Sequence, residues 1–183
     1  MSALTVREAS LDDASRILEI YAPYITDTVI SFEYQIPDLD AFRERMRGIM
    51  RRFPYLVCEE DGCVIGYAYA GTYMTRPAYD WCAEVSIYVD RERRGCGAGR
   101  LLYKSLFGIL KERGFQNLYA VITAENKQSI AFHKSLGFEP FAVFEKVGYK
   151  QGRWLDVAWL QLFLGDHKEN PVPVSVPENE DIS

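Results

Sequence analysis

The chain has 183 residues, 48% hydrophobic and 26% charged, which suits one domain able to bury a core without metals or disulfides. Its formal charge is −5, of which −4 falls in residues 166–183 (Asp166, Glu169, Glu178, Glu180 and Asp181 against Lys168), leaving a nearly neutral body with no basic stripe for nucleic acid. No apolar run could span a bilayer, the N-terminus lacks a signal-peptide pattern, and Cys58, Cys63, Cys82 and Cys96 show neither a CxxC pair nor a metal-ligand spacing. The expectation is a cytoplasmic protein with reduced, mostly packed thiols, no metal, no membrane and a small-molecule ligand.

A short strand around Thr5–Glu8 precedes Ala14, Ile17, Leu18, Tyr21 and Ile25, whose helical spacing predicts a first helix capped by Ser10 or Asp12. The loop SFEYQIPDLD leads to a second amphipathic helix over 41–52, with Phe42, Met46 and Ile49 on one face and Pro54 as its stop. Tyr55–Glu60 and Val64–Tyr73 flank Asp61-Gly62, a pair that tolerates positive φ, and predict an antiparallel hairpin. AEVSIYV then alternates strictly, with Glu84, Ser86 and Tyr88 on one face and Val85, Ile87 and Val89 on the other.

Residues 97–113 carry Leu101, Leu102, Leu106, Ile109 and Leu110 at helical spacing up to Gly114, and Leu118–Ile122 reads as a buried strand. A further helix over 126–136 ends at Gly137, and strands over about 140–147 and 153–164 complete the sheet. The domain is expected to occupy residues 1–164. Residues 165–183, rich in proline and acid, are expected to form a disordered, solvated tail.

RRGCGAGRLLY sets glycines between a buried strand and a helix, where unobstructed amides at a helix start favour a phosphate. A plain flexible turn is the bland alternative. A dinucleotide fingerprint fails, because counting from Gly95 the third glycine place is Arg100 and no acid ends LYAVI. A P-loop fails too, because Arg100 and Leu101 follow Gly99 where Lys and Ser or Thr belong.

Arg94, Gly97 and Gly99 match (Q/R)xxGx(G/A), and the loop resembles the acetyl-CoA pyrophosphate loop of the GNAT superfamily of N-acetyltransferases. NKQSIAFHKSLGF resembles that superfamily's next signature, and ISFE, RRFPYLVCEEDGCVIGYAYAG, RPAYDW, AEVSIYV and YKQGRWLDVAWLQ are similar to its phosphinothricin N-acetyltransferase branch, over residues 3–164. The resemblance implies an α/β fold of the α+β type. Its mixed, mostly antiparallel seven-stranded sheet would be flanked by about four helices and splayed near Val89 and Leu118, the strands of the parallel pair.

It implies acetyl-CoA as co-substrate, held by Ile87, Tyr88 and Val89 through their backbone and by Arg94, Gly95, Cys96, Gly97, Ala98, Gly99, Arg100, Asn126 and Ser129. Glu84 would be the general base and His133 a catalytic group beside the sulfur. A solvated or ion-paired carboxylate and a structural histidine are the plain alternatives. Arg76 and Tyr79 would bind the amine substrate, Arg76 through a carboxylate, and Phe32, Tyr88, Val121, Thr123 and Val157 would wall its pocket. Met74 stands where herbicide-acetylating members carry a lysine, so a neutral side chain such as that of methionine sulfone or sulfoximine is expected.

The leading expectation is direct attack in a ternary complex, with Cys82 as the alternative acetyl-enzyme nucleophile. Other readings are acetylation of a peptide or protein N-terminus and a non-catalytic acyl-CoA sensor. The resemblance also implies a homodimer, for which the Trp154 and Trp159 strand offers an apolar face.

Overall fold

A computed structural model describes residues 3–176; Met1, Ser2 and 177–183 lie outside the described residues. Seven strands form one sheet: β1 (Leu4–Glu8), β2 (Tyr55–Glu60), β3 (Cys63–Thr72), β4 (Cys82–Val89), β5 (Asn117–Thr123), β6 (Glu139–Lys150) and β7 (Arg153–Phe163). Their order is β1-β2-β3-β4-β5-β7-β6, antiparallel throughout except for β4 and β5. The helices are α1 (Ala14–Thr26), α2 (Leu39–Met50), α3 (Ala98–Glu112) and α4 (Lys127–Lys134).

Local chemistry accounts for the boundaries. Asp61 and Gly62 both take positive φ, 51° and 78°, the geometry that closes a two-residue hairpin between β2 and β3. Helix α2 starts before its expected first residue because Asp38 caps it, its carboxylate accepting the Ala41 N–H at 2.8 Å. A short 3₁₀ turn at Leu11–Asp13 precedes α1, and the Ser10 N–H donates to the Asp13 carboxylate at 2.8 Å. Gly114 and Gly137, at φ 93° and 96°, follow α3 and α4 in the left-handed conformation that ends helices.

Each face of the sheet carries its own core. Leu102, Tyr103, Leu106 and Leu110 of α3 pack on Val85, Leu118, Ala120 and Leu160. Ile17, Ile20 and Ile25 of α1 and Phe42 and Met46 of α2 pack on Tyr55, Val57 and Tyr67 on the opposite face. Both faces of β4 are therefore covered near its end, the Tyr88 side as well as the apolar side of Val85, Ile87 and Val89. Ile87 and Val89 lean on the α3 core, while the Tyr88 ring sits among Tyr21, Tyr24 and Tyr67, with centroids 4.8, 5.2 and 5.4 Å away.

The parallel pairing is short: Cys82, Ala83 and Glu84 oppose Asn117, Leu118 and Tyr119, and beyond them the two strands part. Leu118 thus lies at the closed end of the opening rather than in the splay. Two of the four cysteines, Cys63 and Cys96, are exposed, so the thiols are less packed than expected.

The tail also differs from expectation over its described part. The Trp81 indole donates to the Val172 carbonyl at 2.8 Å, the Ser175 N–H donates to the Arg113 carbonyl at 2.9 Å, and Val174 packs against the α3 core. In PVPVSV the prolines limit the unfolded ensemble, so an extended strip can dock for little entropy. The disorder expected of residues 177–183 falls outside the described residues.

Candidate active site

Where β4 and β5 part, a cleft of about 440 Å³ opens between them and the first turns of α3 and α4. Its walls are Val85–Val89 on one side and Ala120–Thr123 on the other, with residues 93–100 at one end and Asn126, Ser129, Phe132 and His133 over it.

The glycine turn gives the cleft its anion end. Gly95 and Gly97 take φ of 81° and 96°, conformations L side chains rarely adopt, and a Cβ on either would meet nothing within 4 Å. These glycines leave open space at the α3 N-terminus, whose first amides have no intrahelical partner, and Arg93, Arg94 and Arg100 stand around it. The donor set fits a pyrophosphate. Gly99 matters for packing instead, since a Cβ there would lie 3.2 Å from the Phe132 ring and 3.5 Å from Ile87, and its bareness lets α4 and β4 approach α3.

Arg94 reaches the cleft by way of Tyr24, which the helical pattern had skipped. The Arg94 guanidinium donates to the Tyr24 hydroxyl at 3.1 Å and lies 5.4 Å from its ring centroid, and that hydroxyl donates to the Val89 carbonyl. One phenol from α1 thereby fixes both the basic side chain and the end of β4.

Backbone direction along β4 follows from its pairing with β3. The Asp90 N–H donates to the Ile65 carbonyl at 2.8 Å. The two-residue period of an antiparallel ladder then turns the backbone groups of Tyr88 toward β3 and those of Val85, Ile87 and Val89 toward the cleft. Ile87 and Val89 are thus placed to meet a ligand through their backbone, whereas Tyr88, which also lines the cleft, turns its backbone groups toward β3.

Glu84 occupies the last paired position before the strands part, opposite Gly71 and Tyr119. It is half-buried, and among the described residues no cation pairs with it. Desolvation raises its pKa above the ordinary 4.5, as burial disfavours the charged form of an unpaired acid. The ion-paired alternative is therefore excluded. Glu84 adjoins the lining residues Val85 and Ser86 but is not itself part of the wall.

His133 does line the cleft, yet both its nitrogens are engaged. Nδ1 lies 2.8 Å from the Ser129 carbonyl, which can only accept, so Nδ1 carries the proton; Nε2 then accepts from the Tyr103 hydroxyl at 3.0 Å. Burial lowers its pKa below the usual 6.5, so the ring is neutral at neutral pH. The sign for stability follows: as pH falls below 6.5, the unfolded chain binds a proton that the folded chain resists, and the fold weakens. Tyr103→Phe is expected to leave Nε2 buried without a partner and to cost about 1–3 kcal/mol of stability, measurable by urea unfolding.

Asn126 caps α4, its side-chain oxygen accepting the Ser129 N–H at 3.1 Å, while both residues line the cleft. Val121 and Thr123 line it from β5. Val157 is buried in β7 opposite Thr123. Phe32 lies on the 27–37 loop against β6, and Met74, Arg76 and Tyr79 stand exposed on the loop before β4; none of these four belongs to the cleft's lining. Among the described residues Arg76 forms no ion pair. Tyr24 and Tyr103 were missed by sequence reasoning, since a buried tyrosine in an apolar helix face reads as core. No group of three or more His, Cys, Asp or Glu among the described residues could hold a metal ion.

A mixed sheet that parts at its parallel pair, with a glycine-opened helix start at one end of the gap, defines an acyl-CoA-type acetyltransferase cleft. The sequence model of the acetyltransferase (GNAT) domain family matches residues 6–159, and the chain belongs to that family.

Within it, the chain is 36% identical to a phosphinothricin N-acetyltransferase from Alcaligenes faecalis, over 87% of this chain and 82% of the relative. It is 35% identical to the L-methionine sulfoximine/L-methionine sulfone acetyltransferase of Salmonella typhimurium, over 90% and 96%. The crystal structure of a GNAT superfamily phosphinothricin acetyltransferase from Sinorhizobium meliloti in complex with acetyl-CoA superposes with a TM-score of 0.88 at 35% identity, covering 98% of this chain and 100% of that one.

Proposed function

We propose that this protein moves the acetyl group of acetyl-CoA onto the amino group of a small amino-acid-like acceptor of the phosphinothricin, methionine sulfoximine or methionine sulfone kind. Attack is direct, within a ternary complex, and Glu84 is the general base. The observation that carries this reading is a half-buried, unpaired carboxylate at the closed end of a cleft whose other end is built for a pyrophosphate.

Acetyl-CoA supplies the activated thioester. The α3 amides with Arg93, Arg94 and Arg100 hold its phosphates, and the outward-facing backbone of Ile87 and Val89 holds and polarises the acyl arm. Glu84 removes the ammonium proton of the acceptor, directly or through water, so that the free amine attacks the thioester carbon; the C–S bond breaks as the C–N bond is made, and the proton the attacking nitrogen then sheds passes through water to the departing thiolate. On that side of the cleft the Tyr103 hydroxyl commits its one proton to the hydrogen bond with His133 and turns its oxygen, not an acid, to the ligand. His133 thus acts by orienting a hydroxyl rather than as an imidazolium acid, which its lowered pKa opposes. Arg76, without an ion-pair partner, supplies a cation for the acceptor carboxylate at the rim.

An exposed thioether at Met74, 45% accessible, suits a neutral, polarizable acceptor side chain better than a second anion. Competition between methionine sulfoximine and a peptide with a free N-terminus for thiol release tests this. Preference for the free amino acid supports the reading, and preference for the peptide would replace it with N-terminal acetylation.

The active form is a homodimer in the cytoplasm, a reducing compartment that suits four free cysteines. Phe141, Phe144, Tyr149 and Trp154 of the β6–β7 hairpin are exposed, Trp154 to 61%, while Trp159 lies beneath Phe141 and Phe144. A patch of this character is costly on a monomer. Sedimentation is expected to give a dimer that Trp154→Glu converts to monomer; a wild-type monomer at tens of micromolar would remove the dimer.

A further inference from the structure

The segment between α1 and α2 is irregular, yet it is fastened at every turn. The buried Lys150 ammonium donates to the Ile25 carbonyl at 2.7 Å and the Ser31 carbonyl at 2.6 Å. Thr123, in the cleft wall, donates from its hydroxyl to the Val29 carbonyl at 2.7 Å. Tyr34 donates its hydroxyl to the Tyr149 carbonyl, and Arg45 forks onto both oxygens of Glu33. Ile30 of this segment lines the cleft.

What the fastening presents is Phe32, an aromatic ring left 40% exposed. Its seat is Gly148. A Cβ built on Gly148 would lie 2.1, 2.6 and 2.9 Å from three carbons of the Phe32 ring, so the ring rests on bare backbone and no other residue fits beneath it.

The seat is made by an irregularity in β6. Phe144 pairs with Val157 and Gly148 with Leu155, so Glu145, Lys146 and Val147 face Asp156 alone. Lys146 takes a φ of 51°, and its N–H is held by the Asp156 carboxylate at 2.8 Å. A bulge of this kind re-aims a strand, and here it carries the outer end of the hairpin, with Gly148 and Lys150, against the loop.

We propose that Gly148 and Lys150 are positioning residues for the acceptor: Lys150 clamps the 27–37 loop, whose Ile30 lines the cleft, and the bare backbone of Gly148 sets the height of Phe32, two residues further on, beyond that lining. The side chain at position 148 thus limits which acceptors fit. This rests on the reading of the protein as an acetyltransferase of small amino acids and names two residues, neither in the cleft lining, that shape its acceptor pocket.

A double-mutant cycle between Phe32→Ala and Gly148→Ala tests it. Gly148→Ala is expected to lower kcat/KM for methionine sulfoximine on the order of 10–100-fold, through the acceptor KM, with the acetyl-CoA KM unchanged. In the Phe32→Ala background, which has no ring to displace, the same substitution is expected to change kcat/KM by less than about twofold. The double variant has no clash, so it also folds if Gly148→Ala alone does not. Lys150→Met is expected to raise the acceptor KM in the same way.

Amide exchange over residues 27–37 reads the inference without any substrate, so its failure is distinct from failure of the proposed activity. Faster exchange there in Gly148→Ala, absent when the change is made in Phe32→Ala, supports it. Equal effects of Gly148→Ala with and without Phe32, in kinetics or in exchange, would overturn it, as would an unchanged acceptor KM and unchanged exchange in Gly148→Ala.

Discussion

Glu84→Ala is expected to lower kcat by about 10²–10⁴-fold, the range that a positioned general base contributes, while acetyl-CoA binds as in the wild type. The two effects separate because Glu84 lies at the closed end of the parallel pair, away from the α3 amides proposed to hold the phosphates. Desolvation raises its pKa above 4.5, and the ionised form is the proposed base. The wild-type rate therefore rises with pH through that raised value, on an acidic limb nearer to neutrality than an exposed glutamate would give. Glu84→Gln is expected to remove this limb. The stability effect has the opposite sign: because the folded pKa is raised, ionising Glu84 costs folded-state stability as pH rises, so the alanine variant is expected to be no less stable at neutral pH. Kinetics from pH 5 to 9 with calorimetric binding of acetyl-CoA would check the rate, the limb and the unchanged coenzyme binding, and urea unfolding of the alanine variant would check its stability.

Gly97→Val is expected to have the next largest effect, on the other substrate. At φ 96° a β-branched residue is strained by about 1–2 kcal/mol, a loss the domain can absorb. The new side chain points into space that nothing in the protein fills within 4 Å, where the phosphates are proposed to sit. The acetyl-CoA KM is expected to rise on the order of tenfold or more, the equivalent of about 1.4 kcal/mol, with the acceptor KM unchanged. Calorimetric titration with coenzyme A measures this directly, and urea unfolding separates it from loss of fold.

The fold was legible where local chemistry decides it. Asp61-Gly62 could be read as a hairpin turn, Gly97, Gly114 and Gly137 as helix boundaries, and the alternation of AEVSIYV as a strand, because each follows from a residue's own φ preference or from a two- or 3.6-residue period. The glycine-opened start of α3 was legible for the same reason.

What the sequence hid depends on contacts between distant residues. Tyr24 binds Val89 and Arg94, about 65–70 positions away, and Tyr103 binds His133, 30 away; periodicity marks such tyrosines only as apolar. The packing of Tyr88 required α1 to close over β4, and the direction of its backbone required the β3 register. Lys150 falls between the two last expected strands, where nothing marks it, until the ends of α1 and its loop are seen to offer it two carbonyls. The docked stretch of the tail was misjudged from composition, which does not reveal that Trp81 and Arg113 present an edge to pair with.

The most direct test of the central reading is thiol release from acetyl-CoA on addition of free amino acids, methionine sulfoximine first, measured side by side for the wild type and Glu84→Ala. The expected result is saturable release, matched one for one by N-acetylated acceptor and nearly abolished in the variant. Coenzyme binding with no acceptor-dependent release by the wild type, or an undiminished rate in Glu84→Ala, would contradict it.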